Sequence, residues 1–303
     1  PQSDEGTVEI GSGGQRVRQR GKGSRRHGEW RKRQRTRQRN SGAPFHAGQL
    51  KRARVVPSFP RVMDPRPILL VTQYDGGRFA GWQRQPVVRT VQGDMEVALA
   101  RLCATAVPAI GAGRTDAGVH AHGQGVGVRV PARWNPATLR RALNAILPDD
   151  IWVAEAHRMV PEFHPRRSAI ARRYGYLIGT DEAARSPFRR RFEWAVRYPL
   201  DPVALQGEAD SVLGEHTFRA FAVANTAPAD DHHRCIIQHA RWVERDGGWV
   251  FEVAANRFLH HMVRFLVGTM VEVAQGRRPR GTIARLLVAP DNSGTPAPAP
   301  ATA

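Results

Sequence analysis

From Pro67 onward the chain alternates apolar runs of strand length with amphipathic stretches of helix length, and it does so twice, which confines it to mixed α/β architectures with two similar halves. Ile68-Leu69-Leu70-Val71 reads as a buried strand that stops at the turn signal Asp75-Gly76-Gly77. Thr90 offers an N-cap to a helix whose Val91, Met95, Leu99 and Leu102 share one face. Gln124, Val126, Val128 and Val130 alternate as a half-buried strand does, and Asn135-Pro136 opens a second helix with Leu139, Ala142, Leu143 and Ile146 on its core side. Ile151 to His157 completes this half as a strand. The second half repeats the grammar: a strand at Ile170 to Gly179, a helix from Asp201-Pro202 to Gly214, and strands at Cys235 to Glu244 and Trp249 to Ala254. A long helix from Phe258 to Gln275 closes at Gly276. The fold class that follows is α+β, two α/β lobes with antiparallel sheets.

Residues 1–62 have none of this periodicity. They carry 16 Lys+Arg against 4 Asp+Glu, so they hold +12 of the net +19 and leave +7 for residues 63–303. A segment with so little to bury is expected to be a disordered basic extension, and its charge favours a polyanion by counterion release. Met63, just before the first strand, is the expected ancestral start. The remaining boundaries fall at 63–160 for the N-terminal lobe, 161–290 for the C-terminal lobe and 291–303 for a Pro/Ala tail with no core. The longest apolar stretch, Phe258 to Ala274, is interrupted by His260, His261, Arg264 and Glu272, so no membrane span is expected. The start of the chain lacks an apolar signal core, and Cys103 and Cys235 cannot build a multi-bridge framework, which points to a reducing cytosol.

The most unusual stretch is Gly111-Ala112-Gly113-Arg114-Thr115-Asp116-Ala117-Gly118-Val119-His120-Ala121. Its glycines let the backbone bend tightly and bring Arg114 and Asp116 close to a ligand. The spacing fits neither a dinucleotide fingerprint nor a phosphate-cradling Gly-Lys-Ser/Thr loop. It closely resembles the active-site motif of the TruA-type tRNA pseudouridine synthases. Further blocks resemble that family in the same order: Tyr74 to Gln85 with Arg89 to Gly93, Leu143 to Pro148, Phe163-His164, Arg172 to Tyr176, Gly214 to Phe218 and Asn256 to Arg264. The resemblance runs from about Pro67 to Pro290. It implies RRM/ferredoxin-like halves around a basic cleft, a cytoplasmic homodimer, tRNA as substrate and partner, and no cofactor or metal. The implied reaction is isomerisation of uridine to pseudouridine in the anticodon stem-loop, at positions 38–40.

The resemblance also implies roles. Asp116 corresponds to the catalytic carboxylate, Tyr174 to the ring that stacks on the flipped uracil or assists proton removal from C5, and Arg264 to the cation that pairs with Asp116. Arg114 contacts the substrate or fills the gap left by the departing base. Each residue type has a plainer reading: a turn arginine in solvent, a strand aromatic in the core, a structural salt bridge. Pro165 departs from the family's small residue at that place, and the Pro/Ala stretch stands where the family has a final apolar strand, so the expectation is either a truncated sequence or a missing edge of the second sheet. Two other functions compete. An RNA-binding module has no need for Asp116, Tyr174 and Arg264 in one site; a glycoside or nucleoside hydrolase needs a second carboxylate, and Asp94 and Glu96 read as helix surface. His232, His233, Cys235 and His239 lie close in sequence but lack the paired cysteines of a zinc site.

Overall fold

A computed structural model of the chain describes residues 65–224, 226 and 232–301, together with two short strands further upstream, β1 (Val8–Glu9) and β2 (Gln15–Val17). The rest of the basic extension and Met63 lie outside the described residues. The strand expected at Ile68 is β3 (Arg66–Tyr74), and it is apolar on consecutive positions because both its faces are covered. Ile68 and Leu70 join the core beneath the helices, whereas Leu69 packs with Met159 and Phe163 on the other side. Helix α1 (Val91–Cys103) starts where Thr90 accepts the amide of Gly93, and α2 (Pro136–Asn144) starts at a reciprocal Asn135–Thr138 capping box. Between and after them run β4 (Ile110–Gly111), β5 (Ala121–Val130) and β6 (Ile151–Arg158). The four strands form one sheet in the order β4-β5-β3-β6, all neighbours antiparallel.

The second sheet is built from β7 (Ala169–Gly179), β8 (Trp194–Ala195), β9 (Gly214–Thr217), β10 (Arg234–Arg245) and β11 (Gly248–Ala255). Its order is β1-β2-β7-β11-β10-β9, with β8 parallel to the far end of β7. Helices α3 (Pro202–Asp210), α4 (Met262–Ala274) and α5 (Thr282–Leu287) bury one face of it, with Phe218, Phe221, Phe251 and Met270 at the centre. Two antiparallel-rich sheets with five helices thus make up the described chain, and none of the helices is long and apolar enough to cross a membrane.

Three expectations are corrected. The long helix begins at Met262 rather than Phe258, because His261 sits at φ 61°, a left-handed conformation that cannot continue a helix of L-residues. Arg257 and His260 therefore lie in the approach to the helix and not on it. The helix expected from Asp201-Pro202 to Gly214 ends at Asp210, and Gly214, at φ 93°, opens the edge strand β9 that pairs with β10. The Pro/Ala tail does pack: Ala299 is 2% exposed, its N–H donates to Arg264 O (3.0 Å), and Tyr176 Oη donates to Pro300 O (2.8 Å). Gly268 makes this approach feasible, since a Cβ there would stand 2.7 Å from Ala297 O.

Because Leu99 is wholly buried between α1 and the first sheet, Leu99→Ala should lower stability by about 2–5 kcal/mol, read as a shift in the urea midpoint with an unchanged slope.

Candidate active site

The Gly-rich loop is held by its backbone before its side chains act. Gly81 adopts φ 96°, and a Cβ there would lie 2.8 Å from Thr115 O, so the preceding segment can lie directly against the loop. Trp82 N–H donates to Thr115 O (3.1 Å), and Tyr74 Oη shares a hydrogen bond with Thr115 Oγ1 (2.8 Å). The residue before Asp116 is thus fixed at both its carbonyl and its side chain. Upstream, three successive carbonyls of the loop each accept a side-chain N–H: Gly111 O from Arg166 Nε (3.1 Å), Ala112 O from Arg172 Nη2 (3.1 Å) and Gly113 O from Gln124 Nε2 (2.7 Å). Pro165 lies against Gly127, where no side chain blocks it, and leaves Arg166 aimed at the loop.

Asp116, so placed beside the first sheet, faces three groups at the start of α4. Arg264 Nη1 is 3.5 Å from Oδ2, His261 Nε2 is 3.4 Å from Oδ2, and His260 Nε2 is 3.6 Å from Oδ1. Arg264 makes one ion-pair contact here and not a two-pronged fork, because its Nε is turned to Ala299 O (2.7 Å). The two imidazoles lie with ring centroids 4.1 Å apart. Burial is the main reason that His261 sits below the usual histidine range; the charges of Arg264 and His260 push the same way, and only Asp116 opposes them. Tyr174, half-buried edge-on to Phe258 at 5.0 Å, has its phenol pushed up to about 12, first by burial and then by the Asp116 charge.

Asp116, Tyr174 and Arg264 line one cavity of ≈ 1710 Å³, with exposed Arg114 at its wall. The structure thus brings together all four residues singled out in the sequence. It adds Tyr74, Arg166, Arg172, His260 and His261, which stand in or beside the same ordered motif blocks but carry no individual signal of a role. His120, in the Gly-rich motif, also lines the cavity, with Nδ1 3.2 Å from Gly76 N and 3.1 Å from Asp75 Oδ1 and Nε2 3.1 Å from Arg191 O. His232, His233, Cys235 and His239 are not gathered into a ligand set. Among the described residues, the group close enough to hold an ion is Asp116, His260 and His261. The Arg264 guanidinium on the same carboxylate opposes a second cation there.

Asp116, faced by an arginine and two histidines in a cavity whose other carboxylate, Glu252, is paired with Arg241 (2.8 Å), defines the class as an acid-centred site on a protein of two antiparallel-rich sheets. The comparisons give the class its family. The model of the tRNA pseudouridine synthase family matches residues 70–166 and 209–303. The tRNA pseudouridine synthase A of Maridesulfovibrio salexigens is 39% identical over 235 residues, 77% of this chain and 86% of that protein. That of Moorella thermoacetica is 39% identical over 239 residues, covering 77% and 96%, and that of Halalkalibacterium halodurans 40% over 221 residues, covering 73% and 83%. The chain belongs to the tRNA pseudouridine synthase family.

The depressed pKa of His261 fixes the sign of a pH effect. As pH falls through the ordinary value of 6.5, the unfolded chain takes up this proton before the folded one, so stability present above that value is lost progressively below it. His261→Asn should remove part of the decline in melting temperature between about pH 7 and pH 5.5, a window around the ordinary histidine value. Thermal unfolding of the two proteins across that range checks it; parallel curves would contradict it.

Proposed function

We propose that this chain isomerises uridine to pseudouridine in tRNA, at positions 38–40 of the anticodon stem-loop, with Asp116 as its catalytic carboxylate. The observation that carries the reading is the Asp116–Arg264 contact at 3.5 Å between the two lobes, inside a cavity large enough for an extruded nucleotide. The reaction breaks C1′–N1 and forms C1′–C5. A carboxylate beside C1′ attacks the sugar or stabilises its cation while the uracil turns, and the proton on C5 leaves last. Arg264 orients Asp116 for this step, and His261, held neutral, leaves the carboxylate without a second tight cation.

Tyr174 supplies a ring face for the extruded uracil. With its phenol at about 12 it is protonated at neutral pH, which favours stacking over service as the resident base for the C5 proton. Arg114, exposed at the wall, contacts the RNA backbone or takes the place of the displaced base.

The cleft is read as basic because seven arginines and two carboxylates line it among the described residues, and one of those carboxylates, Glu252, is paired with Arg241 at 2.8 Å. The order β4-β5-β3-β6, with α1 and α2 as crossovers, supports the RRM/ferredoxin-like reading of the first half. A homodimer in the cytosol completes the picture drawn from the family.

Hydrolysis of the glycosidic bond is disfavoured because the second carboxylate of the cavity, Glu252, is engaged by Arg241 (2.8 Å) and the acids near the motif lie outside it. Asp94 pairs with Arg89 (2.8 Å), and Glu96 accepts Ala109 N–H (3.1 Å) and pairs with Arg84 (3.2 Å), so neither reaches the cavity.

The test uses tRNA carrying C5-tritiated uridine. Isomerisation releases tritium, hydrolysis releases free uracil, and simple binding releases neither. Asp116→Asn should abolish release while tRNA affinity stays within a few-fold, because many phosphate contacts carry binding and one carboxylate carries the chemistry. Arg264→Lys, which keeps the charge but shortens and rounds the donor, should retain the fold and lose most of the rate. Residual turnover near wild type in Asp116→Asn would end the assignment.

A further inference from the structure

We propose that Arg172 is a positioning residue that sets the separation of Asp116 from Arg264, by tying the backbone of the catalytic loop to the segment that leads into α4. The proposal rests on the isomerase reading above. From β7, the Arg172 guanidinium reaches three carbonyls on three separate segments. Nη2 donates to Ala112 O (3.1 Å) and to Arg166 O (3.0 Å), and Nη1 donates to Asn256 O (2.5 Å). Ala112 stands four residues before Asp116, and Asn256 eight residues before Arg264. One planar, rigid group therefore spans the two chain segments whose tips make the ion pair.

Both anchors are themselves fixed, which is what lets the span act as a gauge. Ala112 N–H donates to Gly125 O on β5 (2.8 Å), and its neighbours' carbonyls are held by Arg166 and Gln124. Asn256 exchanges two hydrogen bonds with Ile236 on β10: its N–H donates to Ile236 O (3.1 Å), and its Oδ1 accepts Ile236 N–H (2.9 Å). Arg172 thus couples the first sheet to the second through backbone atoms, which move only with their strands. The arrangement is costly to hold. Withdrawal from water is the main influence lowering the Arg172 pKa, and Arg257 and Arg166 add to it. Three carbonyl acceptors offset that cost, and they use both hydrogens of Nη2, leaving that nitrogen nothing to offer a phosphate.

Arg172 also faces the cavity, so a direct contact with RNA is the competing role. The two differ in what they change. A phosphate contact carries affinity, whereas a gauge carries the placement of groups already in the site, where an error of about 1 Å can cost about 10²-fold in rate.

The experiment measures tritium release and tRNA affinity for the full chain, Arg172→Met, Arg172→Lys, Arg264→Lys and the double variant Arg172→Met/Arg264→Lys, with melting temperatures throughout. Arg172→Met is expected to lower kcat about 10²-fold with KM and tRNA affinity within about 3-fold. Arg172→Lys, which retains the charge and reaches fewer carbonyls, should also lose kcat and covers the case in which the Met variant does not fold. In the double variant the loss should be close to that of Arg264→Lys alone, because the distance Arg172 maintains no longer matters once its far end has been replaced. A rise in KM with kcat intact, multiplicative losses in the double variant, or a folded Arg172→Lys with wild-type kcat would each overturn the proposal while leaving the isomerase reading in place. Absence of tritium release from the unmutated chain would overturn that reading and this proposal with it.

Discussion

The site turns on one carboxylate that is partly withdrawn from water and faces an arginine of helix α4, which packs on the other sheet. Asp116 and Arg264 are each mostly covered, and neither can be left alone there cheaply, since an uncompensated charge in a low-dielectric pocket costs several kcal/mol. Their apposition therefore constrains the chain around both sheets. The Gly-rich loop must bring its Thr115 backbone close to Gly81 and Trp82, and α4 must start late enough for His260, His261 and Arg264 to converge on one carboxylate.

Much of the packing around the site serves to make that apposition rigid. Each sheet has its own apolar core beneath its helices, so each is a firm support. Beside the ion pairs, two links between the sheets run through carbonyls of the Gly-rich loop captured by Arg166 and Arg172, and such bonds report position more faithfully than long flexible ion pairs do. The left-handed His261 belongs to the same economy of space: by delaying the helix it turns two imidazoles toward Asp116 that a continuous helix would have spread around its circumference.

The tail changes the view of the second sheet. A Pro/Ala sequence has little with which to build a core, yet Ala299 is buried, and its carbonyl accepts the Nε of Arg264. Small residues are what this place requires, because the backbone must lie close to Gly268 and to the guanidinium at once. Arg264 is held on one edge by the tail and on another by Asp116, which explains why its contact with the carboxylate is single.

By itself the sequence determined the local elements: the β3 run, the Thr90 and Asn135 caps, the amphipathic faces of α1 and α2, the strand at Ile170, and a glycine-flanked Asp116 able to approach a ligand. These follow from period, capping and turn chemistry, which act over a few residues and leave direct traces in the order of side chains. The ordered motif blocks added the partnership of Asp116, Tyr174 and Arg264. Only the tertiary structure decided the delayed start of α4, the histidine pair, the packing of the tail and the Arg172 span. Each depends on backbone atoms meeting across long stretches of chain, and carbonyl oxygens look alike at every position of a sequence. Which of them a given arginine will find is set by how two sheets pack, and no local pattern encodes that.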